Sequence, residues 1–219
     1  MLIRVLLLLM TFLCHWNTGT IDDRRPHGVI EEILMADNFC RPRWLEQAHA
    51  DLRRHEGFRP FAYPDPLSVL GKKYSKEFGY KPANEVLSKL GANAKDGAPW
   101  TVGYGFTKNV TPNTRISREE ADEMLYDEIM RHAHELDDLV PDWARAPLYV
   151  QSTLVNLVFN MGKGGLSKFK NTLALFNAGK WAEAGKALTN SLWYRQVGNR
   201  AVELTNRMIT GVIPDKYAV

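Results

Sequence analysis

A chain of 219 residues accommodates one ordinary domain of roughly 100 to 150 residues together with an appendage. Its 45% hydrophobic and 24% charged residues exclude a disordered or fibrous protein. A net charge of +3 favours approach to an anionic surface such as a cell wall but is too small for a nucleic-acid partner, and no run of arginines interleaved with aromatics points to DNA or RNA.

Leu2 to Leu13 is apolar apart from Arg4 and Thr11. That run is shorter than the about 20 residues of a membrane span and fits the roughly 7 to 15 of a signal-peptide core. Residues 1–20 are therefore expected to act as an export signal. Thr18-Gly19-Thr20 matches a cleavage site only loosely, so a removed leader and a retained anchor both stay open. The two cysteines, Cys14 and Cys40, form no metal motif; they can pair if the leader is kept, and Cys40 is alone if it is not. Residues 21–43 read as a linker with one brief helix, because Pro26, Gly28 and Pro42 surround a short apolar patch from Val29 to Met35.

The main domain is expected from residue 44 to residue 219. Leu45, Ala48 and Leu52 predict a helix over Trp44 to His55, stopped by Gly57, with Glu56 in its last turn. Phe61-Ala62-Tyr63 and Trp100 to Gly105 read as two short strands. The polar, turn-rich residues 67–99 between them look inserted and hold a possible helix at Ala83 to Leu90, ended by Gly91. Ser117-Arg118-Glu119-Glu120 is a capping box that opens a long amphipathic helix carried on to Val140. Leu148 to Met161 is apolar on nearly every side, as at the centre of a bundle, and Gly162, Gly164 and Gly165 end it. Further helices are expected at Thr172 to Asn177, Trp181 to Thr189 and Asn199 to Ile209. A small β lobe leading into a larger helical lobe gives an α+β fold.

Hydrolysis of a glycosidic bond needs a proton donor for the leaving oxygen and a second carboxylate to activate water or stabilise the transition state. Glu56 ends a helix and Asp65 follows nine residues later, after the chain has turned back, so the two can line one cleft. Spacing alone does not distinguish this pair from two solvated acids.

The stretch from Glu56 to Asp65, with Trp100-Thr101-Val102-Gly103-Tyr104-Gly105-Phe106-Thr107, resembles the active-site signature of T-even-type phage lysozymes, glycoside hydrolase family 24. The resemblance continues through Ile116 to Ala121, Asn156 to Gly162, Lys180-Trp181, Glu183-Ala184 and Trp193 to Ala201, covering roughly residues 44 to 215 in order. It implies a lysozyme-like fold with a cleft between the lobes. It also implies an inverting muramidase acting on peptidoglycan glycan strands as a monomer, with no cofactor and no metal, of the kind that lyses phage-infected cells. Glu56 would be the general acid, Asp65 and Thr101 would position the water, and Arg200 would orient Glu56. Phe159, Asn160, Thr172 and Gln196 match positions facing the saccharide, although Phe159, Trp181 and Trp193 also suit a core. The short leader resembles the signal-arrest-release segments of some phage lysins.

Two departures stand out. Thirty-five residues separate Asp65 from Thr101, far more than the family pattern, so residues 67–99 are expected either as a flap beside the cleft or as a surface insertion without a role. Phe106 stands where the family often has histidine, a change expected to affect stability. A lytic transglycosylase, which needs no second carboxylate, and a non-catalytic glycan binder of the same fold are the competing functions.

Overall fold

Leu45, Ala48 and Leu52 are all buried on one face of α1, Arg43–Glu56. Gly57 ends this helix in the left-handed region (φ 68°), its amide bonded to the Arg53 carbonyl at 3.2 Å, which leaves Glu56 as the last helical residue. The computed structural model describes residues 41–219, so the leader, most of the 21–43 linker, Cys14 and Cys40 lie outside the described residues.

β1, Arg59–Pro64, and β2, Trp100–Gly103, form a two-stranded antiparallel sheet in which Arg59 faces Gly103, Tyr63 faces Thr101 and Pro64 faces Trp100. The register is irregular between Arg59 and Tyr63. There the Phe61 amide turns to the Gly79 carbonyl (3.2 Å) and the Ala62 amide to the Thr114 carbonyl (3.1 Å), so the bulge redirects donors that a regular ladder would consume.

The 67–99 segment is folded. It contains α2, Val69–Tyr74, α3, Ala83–Leu90, and a 3₁₀ turn at Ala94–Gly97. Gly91 (φ 60°) caps α3 where the sequence places its end. α2 is only six residues long, too short for apolar periodicity to reveal it. Leu70, Phe78, Ala83, Val86 and Leu87 close against Ala62 and Trp100 of the sheet to make a second small core. The Trp100 indole N–H finds the Ala94 carbonyl at 3.1 Å, and Phe78 meets the Trp100 ring edge-on.

The main core belongs to the helical lobe. α4, Arg118–Leu136, begins with the predicted capping box: the Ser117 hydroxyl accepts the Glu120 amide at 3.1 Å, and the Glu120 carboxylate accepts the Ser117 amide at 2.8 Å. The helix stops at Leu136, short of Val140. That valine is buried instead through a turn whose amide bonds back to the Leu136 carbonyl. α5, Leu148–Leu166, is the central helix, with Val150, Leu154, Val155, Leu157 and Val158 fully buried. Gly162 (φ 66°, ψ 164°) breaks it where the glycine run predicts, and a further helical turn follows. α6, Lys170–Asn177, α7, Trp181–Thr189, α8, Leu192–Val197, and α9, Asn199–Thr210, complete the lobe. α8 is a short helix capped by Ser191 that the sequence pattern does not reveal. α1 and α4 pack on α5, and α9 packs on α7. The result is the expected α+β, lysozyme-like architecture, mostly helical with one small sheet.

Candidate active site

Glu56 leaves the end of α1 with its side chain 27% exposed, and the Arg200 guanidinium from α9 meets it: Nη1 donates to Oε1 at 2.6 Å. The arginine is itself held. Its Nε donates to Asn156 Oδ1 at 3.0 Å and its Nη2 to the Asn156 carbonyl at 3.4 Å, both on α5. Because a guanidinium has no acceptor, the Asn156 oxygen must face it, which fixes the amide orientation. His55 Nδ1 lies 3.4 Å from the same oxygen, and its Nε2 lies 3.3 Å from Glu203 Oε2. Burial alone would raise the Glu203 carboxyl. Hydrogen bonds from His55 and Arg54 and the charges of Arg207 and Arg54 outweigh it and hold it at about 2. Glu203 is therefore anionic at neutral pH, and the helix ends meeting at Glu56 are joined by a chain of polar contacts. Arg200 and Glu56 are brought together from α9 and α1. Asn156 and His55 stood in the sequence without a role; an asparagine among the mostly apolar residues of Leu148 to Met161 was the available signal for the first.

Thr101, 6% exposed, sits in β2 opposite Tyr63. Side chains alternate along a strand, so Tyr63 leaves β1 toward one side while Ala62 and Pro64 leave toward the other, and Asp65 follows the last residue of the strand. The Asp65 carboxylate accepts the Leu67 amide through Oδ1 at 2.7 Å. Tyr63 was not anticipated as part of the site. Burial pushes its hydroxyl above the usual 10, Arg59 pulls it back, and the Glu56 charge adds to the rise. The Arg59 guanidinium covers the Tyr63 ring at 4.4 Å.

The remaining site candidates lie on the helical lobe. Asn160 is exposed, and its Oδ1 accepts the Trp193 indole N–H at 2.8 Å, which leaves its amide nitrogen to face outward. Gln196 is exposed on α8. Phe159 is half-buried beside the His132 ring, 5.2 Å between centroids, and packs on the main core. Thr172 is buried, 4% exposed, in α6. Trp193 is buried and Trp181 packs against the core, as their patterning suggested. Phe106 also belongs to the main core.

A cavity of about 1040 Å³ opens elsewhere, lined by Glu46, His49, Arg53, Asp122, Glu123 and Tyr126 among others, and includes none of Glu56, Asp65 or Thr101.

The family description "Phage lysozyme" matches residues 84–209, more than half of the chain. The chain belongs to the phage lysozyme family. The family match takes in Thr101, Asn156, Phe159, Asn160, Thr172, Gln196 and Arg200, whereas Glu56 and Asp65 precede it. Among relatives, the chain is 33% identical over 174 residues, 77% of its length, to the pre-baseplate central spike protein Gp5 of Enterobacteria phage T4. It is 40% identical over 62 residues, 28% of its length, to the probable T4-type lysozyme 2 of Dictyostelium discoideum, and 38% identical over 60 residues, 27% of its length, to probable T4-type lysozyme 1 of the same organism. The matched regions span only 28%, 36% and 35% of those three proteins' own lengths.

Proposed function

We propose that the chain is a muramidase that hydrolyses the β-1,4 bond between N-acetylmuramic acid and N-acetylglucosamine in peptidoglycan. One observation carries this conclusion: Glu56, at a helix end of a phage lysozyme family member, is pinned through Oε1 by Arg200. With Oε1 held, Oε2 is left to carry a proton to the leaving glycosidic oxygen. Asp65 and the Thr101 hydroxyl hold a water for attack on the opposite face of the sugar, which inverts the anomeric carbon and calls for carboxyl groups roughly 6.5 to 9.5 Å apart. Neither step requires a metal or cofactor. Asn160 and Gln196 offer amides to sugar hydroxyls, with Phe159 and Thr172 on the same helical lobe.

Turbidity clearing of cell walls by the wild type, with a loss of about 10²- to 10⁴-fold in Glu56→Gln, supports the enzyme. Wall binding with no clearing by the wild type would make it a glycan binder instead. Mass spectrometry of the released muropeptides separates the hydrolase from a transglycosylase, since only the latter leaves anhydro ends. NMR of the first-formed anomer tests inversion.

The same reading extends to delivery. Residues 1–20 carry the chain to the periplasm as a removed leader or a retained inner-membrane anchor, the enzyme works as a monomer, and its gene is a phage's. The N-terminal residue of the exported protein decides the fate of the leader and whether Cys14 is available to Cys40. A second setting for the same chemistry is favoured by the alignment to a pre-baseplate central spike protein over 77% of this chain. Immunoblotting of purified phage particles against the soluble lysate distinguishes a particle-borne wall cutter from a lysis enzyme.

A further inference from the structure

We infer that the inserted segment is the mount that positions Asp65, an inference that rests on Asp65 being the residue that holds the attacking water. Both ends of the insertion converge on this one residue. From its far end, the Gly97 and Pro99 carbonyls accept the Asp65 amide at 3.2 and 3.0 Å. From its near end, the Ser68 amide and hydroxyl donate to the Asp65 carbonyl at 2.9 and 2.7 Å, and the Leu67 amide donates to Asp65 Oδ1 at 2.7 Å. Every polar backbone group of Asp65 and one of its carboxylate oxygens are thus engaged by the insertion. With Oδ1 occupied, Oδ2 is the oxygen left for water.

The second core makes this attachment stiff. Ser68 Oγ also accepts the Gly71 amide at 3.0 Å and caps α2, and α2 packs directly on the Asp65 peptide. A Cβ at Gly71 would lie 1.9 Å from the Asp65 carbonyl oxygen and 2.7 Å from its carbon, so only glycine permits the contact. Leu70 in the same helix is 3% exposed within the core that also holds Trp100, the residue before Thr101. At Gly97 a Cβ would lie 2.7 Å from the Trp100 ring and 3.1 Å from Pro64. The insertion therefore grips the residues next to both members of the water-holding pair, Pro64 before Asp65 and Trp100 before Thr101. A plain surface loop would need only to join the strands. Here the extra residues spend a folded core on fixing the geometry of two side chains, and a misplacement of about 1 Å at a reacting group costs up to about 10²-fold in rate.

The test compares kcat and KM on soluble peptidoglycan oligosaccharides, well below each variant's Tm, for Ser68→Ala, Ser68→Thr, Gly71→Ala and Asp65→Asn. Ser117→Ala serves as a destabilised control in the helical lobe. The mount predicts that Ser68→Ala and Gly71→Ala lower kcat about 10- to 100-fold with KM within about twofold of wild type. It also predicts that Ser68→Thr, which restores the hydroxyl, recovers most of the rate and that Ser117→Ala lowers Tm alone. Should Gly71→Ala fail to fold, the two Ser68 variants decide. Wild-type kcat in Ser68→Ala alongside an inactive Asp65→Asn overturns the mount and leaves the role of Asp65 standing. An equal fall in kcat for Ser117→Ala and Ser68→Ala overturns it too, because the loss is then one of general stability. An active Asp65→Asn removes the functional reading on which the inference stands.

Discussion

Arg200 spreads one guanidinium over a carboxylate, an amide oxygen and a backbone carbonyl, so its position is set by α5 as much as by Glu56. Lysine carries the same charge but cannot reproduce this fork. If Arg200 aims Glu56 as proposed, Arg200→Lys is expected to lower kcat by about tenfold while KM changes little. A comparable rise in KM would instead make it a substrate contact. Asn156 is the other half of the device. Its buried Oδ1 is the acceptor for Arg200 Nε, while its Nδ2 is buried without a partner among the described residues. Asn156→Ala should cost about 1 to 3 kcal/mol in denaturant unfolding, because the desolvated guanidinium N–H is left unpaired, and should lower kcat alongside. Arg200 and Glu56 were legible as motif residues. The partnership with Asn156 was not, since it joins positions 44 residues apart on different helices.

Among the elements, residues 67–99 hold a small core with the sheet, in which Phe78 is completely buried beside Trp100 and Leu70. Phe78→Ala should cost about 3 to 5 kcal/mol if the segment folds as part of the domain. A single calorimetric transition shifted downward would show this; an unshifted main transition would mean that the insertion unfolds alone. The α4 cap belongs to the same scale. Ser117→Ala removes the acceptor for the Glu120 amide and should cost about 1 kcal/mol with no change in kcat. The cap was readable because a four-residue motif holds all of its partners. Phe78 stood in polar, turn-rich sequence, and its burial depends on a tryptophan 22 residues away.

Across the whole molecule, α1 and α9 are tied by an ion network that the apolar pattern of either helix does not suggest. Arg207 and Asp51 are buried and paired, Glu203 joins both arginines, Arg54 and Arg207, and the Tyr217 ring lies 4.1 Å from the Arg54 guanidinium. Asp51→Ala should cost about 3 to 5 kcal/mol, because the Arg207 charge is left buried without its main partner. The titrating groups predict acid sensitivity in two stages. Burial lowers His49 and His132 from 6.5, so the unfolded chain takes up protons first and stability falls as pH drops below 6.5. Glu203 is held at about 2 against an ordinary 4.5, so its contribution is complete above 4.5 and is lost as pH falls toward 2. That second loss is on the order of 2 kcal/mol after allowance for solvent screening. Thermal unfolding from pH 7.5 to 3 checks both windows, and a flat Tm would show that neither set of groups is coupled to folding.

The sequence by itself determined the helical lobe, the two strands and the end of α1 at Glu56, because periodicity, caps and glycines act within a few residues of one another. Family membership was legible for the same reason, through ordered local motifs. Tertiary structure alone decided what holds those residues in place: Asn156 behind Arg200, the insertion around Asp65, and the Asp51–Arg207 pair between α1 and α9. Each joins side chains from separate elements, and the free energy of burying a polar or charged group is settled by what the folded chain brings beside it.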